Sequence, residues 1–299
     1  MKINILIPST SSINMANNGA NVQGDELIAR SWAKYFSKNS DIEFVHINGN
    51  LEKYDICISF SPLIQEISER ATLNILYLQN VFPKPAWPGT VEMFHMHKHR
   101  YDAFIFPSNG LKQACESDGL VCQFAVDPEI FYPDIDSNLS FNTCFVGNNI
   151  RDKNTTNDFI LSAERYGLAI FGNPHSWNHR CCQGKISIND ERKLYASSKI
   201  CLNAHLDEHL AYGSFNFRIF NILACKGFII SDESSFLKNE FNQCMVFAEN
   251  RGDLLNKIEL YLDNPDTTIE YRENGYRHVL NNHTFSHRIT DILNWIKQL

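Results

Sequence analysis

The sequence lacks the features that mark several classes of protein. It has no uninterrupted apolar run approaching about 18 residues, so no membrane-spanning helix is predicted. Its nine cysteines are an odd number and never form a C-x-x-C spacing, which is unlike a disulfide-stapled secreted domain. We therefore expect reduced thiols and an intracellular, cytoplasmic protein, in which the adjacent Cys181 and Cys182 hold no metal.

An excess of positive charge is also absent. The 27 Lys and Arg residues are outnumbered by 34 Asp and Glu residues, which gives a net charge of −7. Such a chain is a poor partner for nucleic acid, and any membrane contact is expected to be peripheral. The length of 299 residues and the apolar content of 43% fit two globular domains; the oligomeric state is left open.

Short apolar runs alternate with helical patterns along the first half of the chain. Lys2–Pro8 is a predicted strand, and a polar loop then leads to an amphipathic helix at Asp25–Phe36. Further strands are predicted at Ile42–Ile47, Ile56–Phe60, Leu73–Leu78 and Ala103–Phe106. This alternation favours a parallel sheet covered on both faces, although the dinucleotide-binding pattern G-x-G-x-x-G is absent.

A second α/β unit follows a predicted linker at Asp127–Ser140, which contains two prolines and four acidic residues. The pattern restarts with strands at Phe141–Val146, Leu168–Phe171, Lys199–Leu202 and Phe228–Ile230, and a helix at Thr156–Tyr166. Asn264-Pro265 is predicted to open a helix towards Leu280, and a last apolar stripe begins at Phe285. We predict domains at 1–135 and 136–283.

The most informative segment is Gly213–Asp232. Asn216 is a predicted N-cap for a helix at Phe217–Lys226, and Gly227 is the predicted C-terminal cap. Arg218 and Asn221 lie three residues apart and share one face near the positive end of this helix, a place that suits a phosphate. The alternative is an ordinary crossover helix that carries a surface arginine.

A second phosphate-binding candidate is Phe145–Lys153. A predicted strand ends at Gly147, where the backbone can approach a ligand closely, and the cations Arg151 and Lys153 follow. The alternative is a solvated turn with incidental charge. The two candidate sites reinforce each other if the fold brings them together.

Three segments together resemble the CgeB/YkvP-like glycosyltransferases, which are related to family 4 of the retaining sugar transferases. They are ISINDERKLYASSKICLNAH (186–205), SFNFRIFNILACKGFIISD (214–232) and the tail from YLDNPDTTIEY onwards (261–293). AVDPEIFYP and FVGN fit the same pattern, and the likeness covers residues 101–299. It implies an α/β GT-B fold, with two Rossmann-like domains across a cleft and a C-terminal helix, 284–299, that returns to the N-terminal domain.

The resemblance also implies a nucleotide-sugar donor held mainly by the C-terminal domain, with no cofactor and no metal. Arg151 and Arg218 are the expected catalytic cations on the donor diphosphate. The expected donor-binding residues are Gly19, Gly147, Arg151, Lys153, Trp177, Asn203, His205, Ser214, Asn216, Arg218 and Asn221. Two departures stand out, because relatives have Glu at the positions of Asn221 and Gly213.

The acceptor is the second substrate of the reaction that the resemblance implies. It would be a glycan, a lipid-linked molecule or a protein. A retaining transfer, which the resemblance favours, needs no protein base, whereas an inverting one needs a carboxylate or imidazole at the acceptor hydroxyl. Asp25, His95 and His97 are candidates for it, and we include His97 among the predicted catalytic residues. Two alternatives stay open: a GT-B protein that binds nucleotide-sugar without turnover, and a phage-type glycosyltransferase of DNA bases, which the basic run 95–100 keeps open.

Overall fold

Two parallel six-stranded sheets form the frame of the protein. We use a computed structural model that describes residues 1–8, 24–51, 53–64, 71–82, 84 and 87–299. Helices cover both sheets, and a connection at 122–142 joins them. The predicted α/β class is therefore confirmed, and the predicted domain junction near residue 135 lies within this connection.

The first sheet has the strand order β2-β1-β3-β4-β5-β6, with every pair parallel. Its strands are β1 (Lys2–Leu6), β2 (Phe44–Ile47), β3 (Tyr54–Ser59), β4 (Ala71–Tyr77), β5 (Ala103–Phe106) and β6 (Leu120–Val121). Its described helices are α1 (Gly24–Phe36), α2 (Thr90–His97) and α3 (Asn109–Ala114). The central strands are apolar on both faces because helices cover both, as parallel sheets require.

The second sheet has the order β12-β11-β10-β7-β8-β9, again parallel throughout. Its strands are β7 (Thr143–Val146), β8 (Leu168–Phe171), β9 (Cys182–Gly184), β10 (Ile200–Asn203), β11 (Ile229–Asp232) and β12 (Val246–Ala248). Its helices are α4 (Lys153–Phe159), α5 (Ile188–Ser197), α6 (Asp207–Tyr212), α7 (Phe217–Ala224), α8 (Ser235–Phe241), α9 (Arg251–Asp263) and α10 (Ile269–Asn282).

The predicted strands are all found, but several boundaries and caps differ. The single helix expected at Thr156–Tyr166 starts earlier, because the Asp152 side chain accepts hydrogen bonds from two backbone N–H groups of the first turn. It also breaks at Ile160 and continues as a 3-10 helix at Leu161–Tyr166. Beyond α7, Lys226 rather than Gly227 adopts the left-handed conformation. The strands β9 and β12 have three residues each and were not predicted.

The last helix, α11 (Phe285–Ile296), packs against α1 of the first domain, so the predicted return of the C-terminal helix is confirmed. Pro265–Thr268 forms a 3-10 turn before α10, where one continuous helix was expected. The backbone N–H of Val126 donates to His283 O, and that of Phe285 donates to Val126 O. These two bonds tie the crossing chain to the connection between the sheets.

No helix among the described residues is both long and apolar enough to cross a membrane.

Arg288 holds the crossing helix in place. Its side chain is 9% exposed and donates to Gln123 O at 2.9 Å, Phe124 O at 3.2 Å, Asn282 O at 3.1 Å and His283 Nδ1 at 2.7 Å. Arg288→Ala leaves four acceptors without this donor, and two of them, Phe124 O and His283 Nδ1, belong to buried residues. We therefore expect the free energy of unfolding to fall by about 3 kcal/mol in urea denaturation. Lys297→Ala, which removes an exposed ion pair of the same helix with Asp41, serves as control. Equal losses in the two variants would contradict this role.

Candidate functional site

Two neighbouring cavities lie between the domains, beyond the carboxyl ends of the strands of the second sheet. Cavity C, of about 570 Å³, is lined mainly by β7, β8, α5 and α7. Cavity N, of about 590 Å³, is lined mainly by the first domain and α6. Both cavities are lined by Gly24, Asp25, Ile150, Asn216, Phe217 and Arg218. A ligand that fills both would therefore pass Arg218 and Asp25 at their junction.

Arg218 is the cation at this junction. It lies at the second residue of α7, its Nε donates to Val146 O, and its Nη1 donates to Asn203 Oδ1 at 2.8 Å. Its guanidinium carbon lies 4.4 Å from the centroid of the Phe145 ring. Burial lowers the pKa of Arg218, because the charged form loses its hydration.

Arg151 is brought beside it from the loop after β7. Its Nε donates to Ala204 O at 2.8 Å, and its guanidinium carbon lies 5.0 Å from the same Phe145 ring. Burial and the charge of Arg218 both lower the pKa of Arg151. The two predicted phosphate-binding candidates therefore meet in space, as the sequence argument required.

Neither guanidinium of the pair is found in a salt bridge with a carboxylate of the described residues. Every hydrogen bond found for the two guanidiniums among the described residues ends on an uncharged oxygen. The N-terminus of α7 adds a partial positive charge at the same place. An anion bound in the cavities would relieve the repulsion between the cations and supply the missing acceptors.

A buried polar network lies directly behind Arg218. Asn203, at the end of β10, accepts from Arg218 and from Asn216 Nδ2 at 2.7 Å, and its Nδ2 donates to Ser231 Oγ at 2.9 Å. Asn216 directly precedes α7 at the N-cap position, but its side chain bonds Asn203 and does not cap the helix. The network orients the arginine, and Asn203 lines neither cavity.

His205 belongs to the same buried layer. Its Nδ1 lies 2.7 Å from Asp232 Oδ1, and its backbone N–H donates to Asp232 Oδ2 at 2.7 Å. Burial alone would raise the pKa of Asp232, but the charge and hydrogen bonds of His205 outweigh it and lower this pKa. The predicted donor-binding residues Asn203 and His205 thus support the cavity wall from behind.

Gly147 and Trp177 shape the wall of cavity C. Gly147 lines the cavity at φ +145°, and a Cβ there would come 2.6 Å from Nη2 of Arg218. Trp177 is buried, packs edge-on against Phe145, and donates from Nε1 to Gly147 O at 2.6 Å. Trp177, which was expected to bind the donor, therefore holds the glycine loop and does not line the cavity.

Asp25 is the carboxylate at the cavity junction. It lies in the first turn of α1, and it accepts from Gln79 Nε2 at 2.9 Å and from Asn80 Nδ2 at 3.3 Å. Burial raises its pKa, and the two amide donors oppose that shift. Of the three predicted candidates for a base, Asp25 lines the cavities, whereas His95 and His97 line neither.

Glu191 was not identified from the sequence. It lies on α5, lines cavity C, and its Oε1 accepts from Tyr195 Oη at 2.8 Å. Burial raises the pKa of Glu191, opposed by the Tyr195 hydrogen bond and the charge of Arg218. The sequence signal was only a Glu and a Tyr four residues apart on a helix, which is common on solvated faces.

The other predicted residues lie in different surroundings. Asn221 lines cavity C, one turn beyond Arg218 on α7. Lys153 begins α4 and is exposed, and it lines neither cavity. Ser214 is buried, and its Oγ donates to Ser108 Oγ of the first domain at 3.1 Å. Gly19 lies outside the described residues.

Metal-ligand geometry occurs in two clusters of the described residues, and neither contributes to the cavities. They are Glu164, His179 and Cys181, and Glu240, His278 and His283. In the second, Arg288 donates to His283 Nδ1, so His283 Nε2 keeps its proton and donates to Glu240 at 2.8 Å. A metal would have to displace that proton.

An Asp-x-Asp pattern also occurs at Asp134–Asp136. Metal-dependent sugar transferases of another fold use this arrangement. Asp134 forms an ion pair with Arg192, and Asp136 caps a 3-10 turn. Both carboxylates therefore have partners of their own, and neither lines a cavity.

Comparison with known proteins places this geometry in context. A family model described as glycosyl transferase-like matches residues 154–294, slightly less than half of the chain. Sucrose-phosphate synthase from Thermosynechococcus elongatus superposes with a TM-score of 0.70 at 10% identity, over 100% of this chain and 98% of that one. HepE from Anabaena, solved with UDP and glucose, gives 0.66 at 10% identity over 100% of both chains. The fold is GT-B.

An α-glucosyltransferase solved with UDP-glucose and DNA containing an abasic site also shares the GT-B fold, with a TM-score of 0.63 at 11% identity over 99% of both chains. No curated protein sequence matches the chain significantly. The GT-B class and the cleft between the two domains, predicted from the resemblance, are confirmed; at these identities the likeness shows the fold alone.

Gly147 is a position at which a single methyl group should displace Arg218. Gly147→Ala combines a positive φ with a Cβ 2.6 Å from the guanidinium. Gly184→Ala is the matched control, because Gly184 has φ +92° but nothing within 4 Å of a Cβ. We expect the Gly147 variant to lose about 1–3 kcal/mol more stability than the control, measured by urea denaturation. Equal losses would show that Arg218 is not confined by this glycine.

Proposed function

We propose that the protein is a glycosyltransferase, of the CgeB/YkvP-like kind, that moves a sugar from a nucleotide diphosphate donor to a glycan, lipid-linked or protein acceptor. The observation that carries the proposal is the pair Arg151 and Arg218, which lies against Phe145 near the N-terminus of α7. Their hydrogen bonds to the described residues all end on uncharged oxygens. A diphosphate is negatively charged, and its oxygens accept hydrogen bonds. It would therefore pair with both guanidinium groups.

The donor would lie in cavity C with its diphosphate at the arginine pair. The GT-B neighbour HepE was solved with UDP and glucose, which supports a nucleotide-sugar at the corresponding cleft. The transferred sugar would then lie near the junction of the two cavities, between Asn216 and Asp25.

The arginine pair would also serve the chemistry. As the C–O bond to the diphosphate breaks, positive character grows on the sugar and negative charge grows on the phosphate. Two fixed cations and a helix N-terminus stabilise that leaving group without reorganisation. This arrangement supports a transfer that needs no metal, and Arg151 and Arg218 are the proposed catalytic residues.

The acceptor would enter through cavity N and meet the sugar beside Asp25. We propose retention of the anomeric configuration, in which Asp25 orients the acceptor hydroxyl through a hydrogen bond. In an inverting reaction Asp25 would instead remove the proton of that hydroxyl. His97, the earlier candidate for this role, lines neither cavity.

A protein that binds nucleotide-sugar without turnover is the second candidate. It rests on Asn221 and Gly213, which stand where relatives carry acids. It predicts binding of nucleoside diphosphates with no release of nucleotide from any sugar donor. A DNA acceptor receives less support, because the net charge of −7 opposes binding to a polyanion.

Binding of nucleoside diphosphates tests the donor site directly. We expect titration calorimetry in EDTA to detect UDP, GDP or dTDP, and Arg218→Lys to weaken binding by about tenfold or more, since lysine cannot make the forked contact. Arg251→Lys, at an exposed position at the start of α9, is the control. If none of the three nucleotides binds the unaltered protein, the proposed function is wrong.

Asp25→Asn separates the two stereochemical routes. We expect the product to keep the anomeric configuration of the donor, as read by NMR of the newly formed linkage, and the variant to lose no more than about tenfold in rate. An inverted product together with a loss of about a hundredfold or more would instead make Asp25 the general base.

A further inference from the structure

Cavity N changes character away from the junction. At the junction it is lined by Asp25 and Arg218, and Asp25 is the one carboxylate among the described residues that line it. Ligand pockets commonly join an apolar wall to a few polar groups that orient the ligand. The residues that line cavity N but not cavity C are mostly apolar and come from both domains, among them Leu63, Val81, Phe82, Trp87, Phe124 and Leu206.

The polar side chains beside this apolar wall already have partners in the protein. Gln79 Nε2 and Asn80 Nδ2 both donate to the Asp25 carboxylate. Ser61 Oγ accepts from the backbone N–H of Leu63 at 3.3 Å. An extended glycan or a peptide would exchange its hydrogen bonds with water for few new ones here, and that exchange is unfavourable.

His209 lines the same cavity from α6 without adding a charge. Burial and the neighbouring positive charges lower its pKa to about 3, so the imidazole is uncharged at neutral pH. No hydrogen bond to its Nδ1 is found among the described residues. His209 can therefore hydrogen-bond a ligand, but it offers no ion pair to a charged one.

Trp87 and Leu63 are exposed at the place where they line the cavity, by 43% and 41%. The Trp87 ring lies edge-on to the buried Phe82 ring, with centroids 5.5 Å apart, and the Phe82 backbone N–H donates to Thr90 Oγ1 at 2.9 Å. A large aromatic ring that is held in this way loses little conformational freedom when a ligand covers it. Covering both residues with the apolar surface of a ligand removes their surface from water, which favours binding.

The apolar wall begins beside the group that would orient the acceptor hydroxyl. Ile28 follows Asp25 by three residues on α1, so the two lie about one helical turn, or roughly 5 Å, apart, and both line the cavity. Val81 also lines it and follows directly after Asn80, which bonds Asp25. We therefore expect the apolar part of the acceptor to lie close to the reacting hydroxyl.

We propose that cavity N holds the apolar group of the acceptor, an alkyl or aryl group joined close to the hydroxyl that receives the sugar. The proposal rests on the proposed function, because it presumes that the acceptor enters through cavity N. It narrows the acceptor class: a lipid-linked or aromatic acceptor fits the wall, whereas an extended glycan or a protein surface does not.

Titration calorimetry with methyl, hexyl and phenyl β-glucosides tests the proposal, with the hexyl compound kept below the concentration at which it forms micelles. We expect the hexyl or the phenyl glucoside to bind the unaltered protein at least about tenfold more tightly than the methyl glucoside. A preference for the hexyl compound identifies a lipid-like acceptor, and a preference for the phenyl compound identifies an aromatic one.

Trp87→Ala locates this binding in cavity N. We expect the variant to lose most of the preference, whereas Tyr132→Ala, the matched control, keeps it. Tyr132 is 40% exposed, its ring centroid lies 4.2 Å from the guanidinium carbon of Arg192, and it lines neither cavity. Thermal unfolding of each variant checks that it is folded.

Equal binding of the three glucosides would show that the acceptor is recognised by its sugar, and it would overturn the proposal. Binding of none of them, or a preference that Trp87→Ala leaves unchanged, would overturn it as well. UDP, GDP and dTDP are titrated separately into the unaltered protein. If any of them binds, the proposed function stands whatever the glucosides do, and if none binds, the proposed function itself is wrong.

Discussion

The structure around the cleft depends on two guanidinium groups that the backbone holds against one aromatic ring. Arg151 is bound to Ala204 O and Arg218 to Val146 O, and both lie against the ring of Phe145. Burial lowers the pKa of both groups, and the charge of Arg218 lowers the pKa of Arg151 further. The two side chains stay in place because rigid strand ends fix the carbonyls that orient them.

The surrounding buried polar residues help to hold the two arginines in position. Asn203 bonds Arg218 and Asn216 at once, and Asp232 fixes His205 through two hydrogen bonds. Trp177 holds Gly147, whose lack of a side chain leaves room for the guanidinium. Polar groups at the carboxyl ends of β10 and β11 would be costly in an ordinary core. Here each of these contacts fixes an atom that positions the charged pair.

The sequence predicted those parts of the site that follow from local pattern. A strand ending at glycine, and a helix start with Arg218 and Asn221 on one face, identified segments that line cavity C, because helical and strand periodicity determine where side chains point. The sequence predicted less accurately how far each side chain lies from the cavity. Trp177, Asn203 and His205 lie one layer behind the cavity wall, since depth depends on how neighbouring strands and helices pack. Asp25 could not be separated from two histidines for the same reason.

Glu191 shows why a sequence of this kind hides part of its chemistry. On the isolated helix α5 it is one of several acids, and only the packing of α5 against α7 turns it towards the cavity. Its burial is unfavourable, as is that of Asp25 at the junction, and burial raises the pKa of both groups. Two cations without a salt bridge to the described residues, and two partly buried acids, lie around one pair of cavities, and these groups would weaken the free protein. The proposed donor would relieve this cost, because its diphosphate would pair with the arginines and its hydroxyl groups would donate hydrogen bonds to the acids.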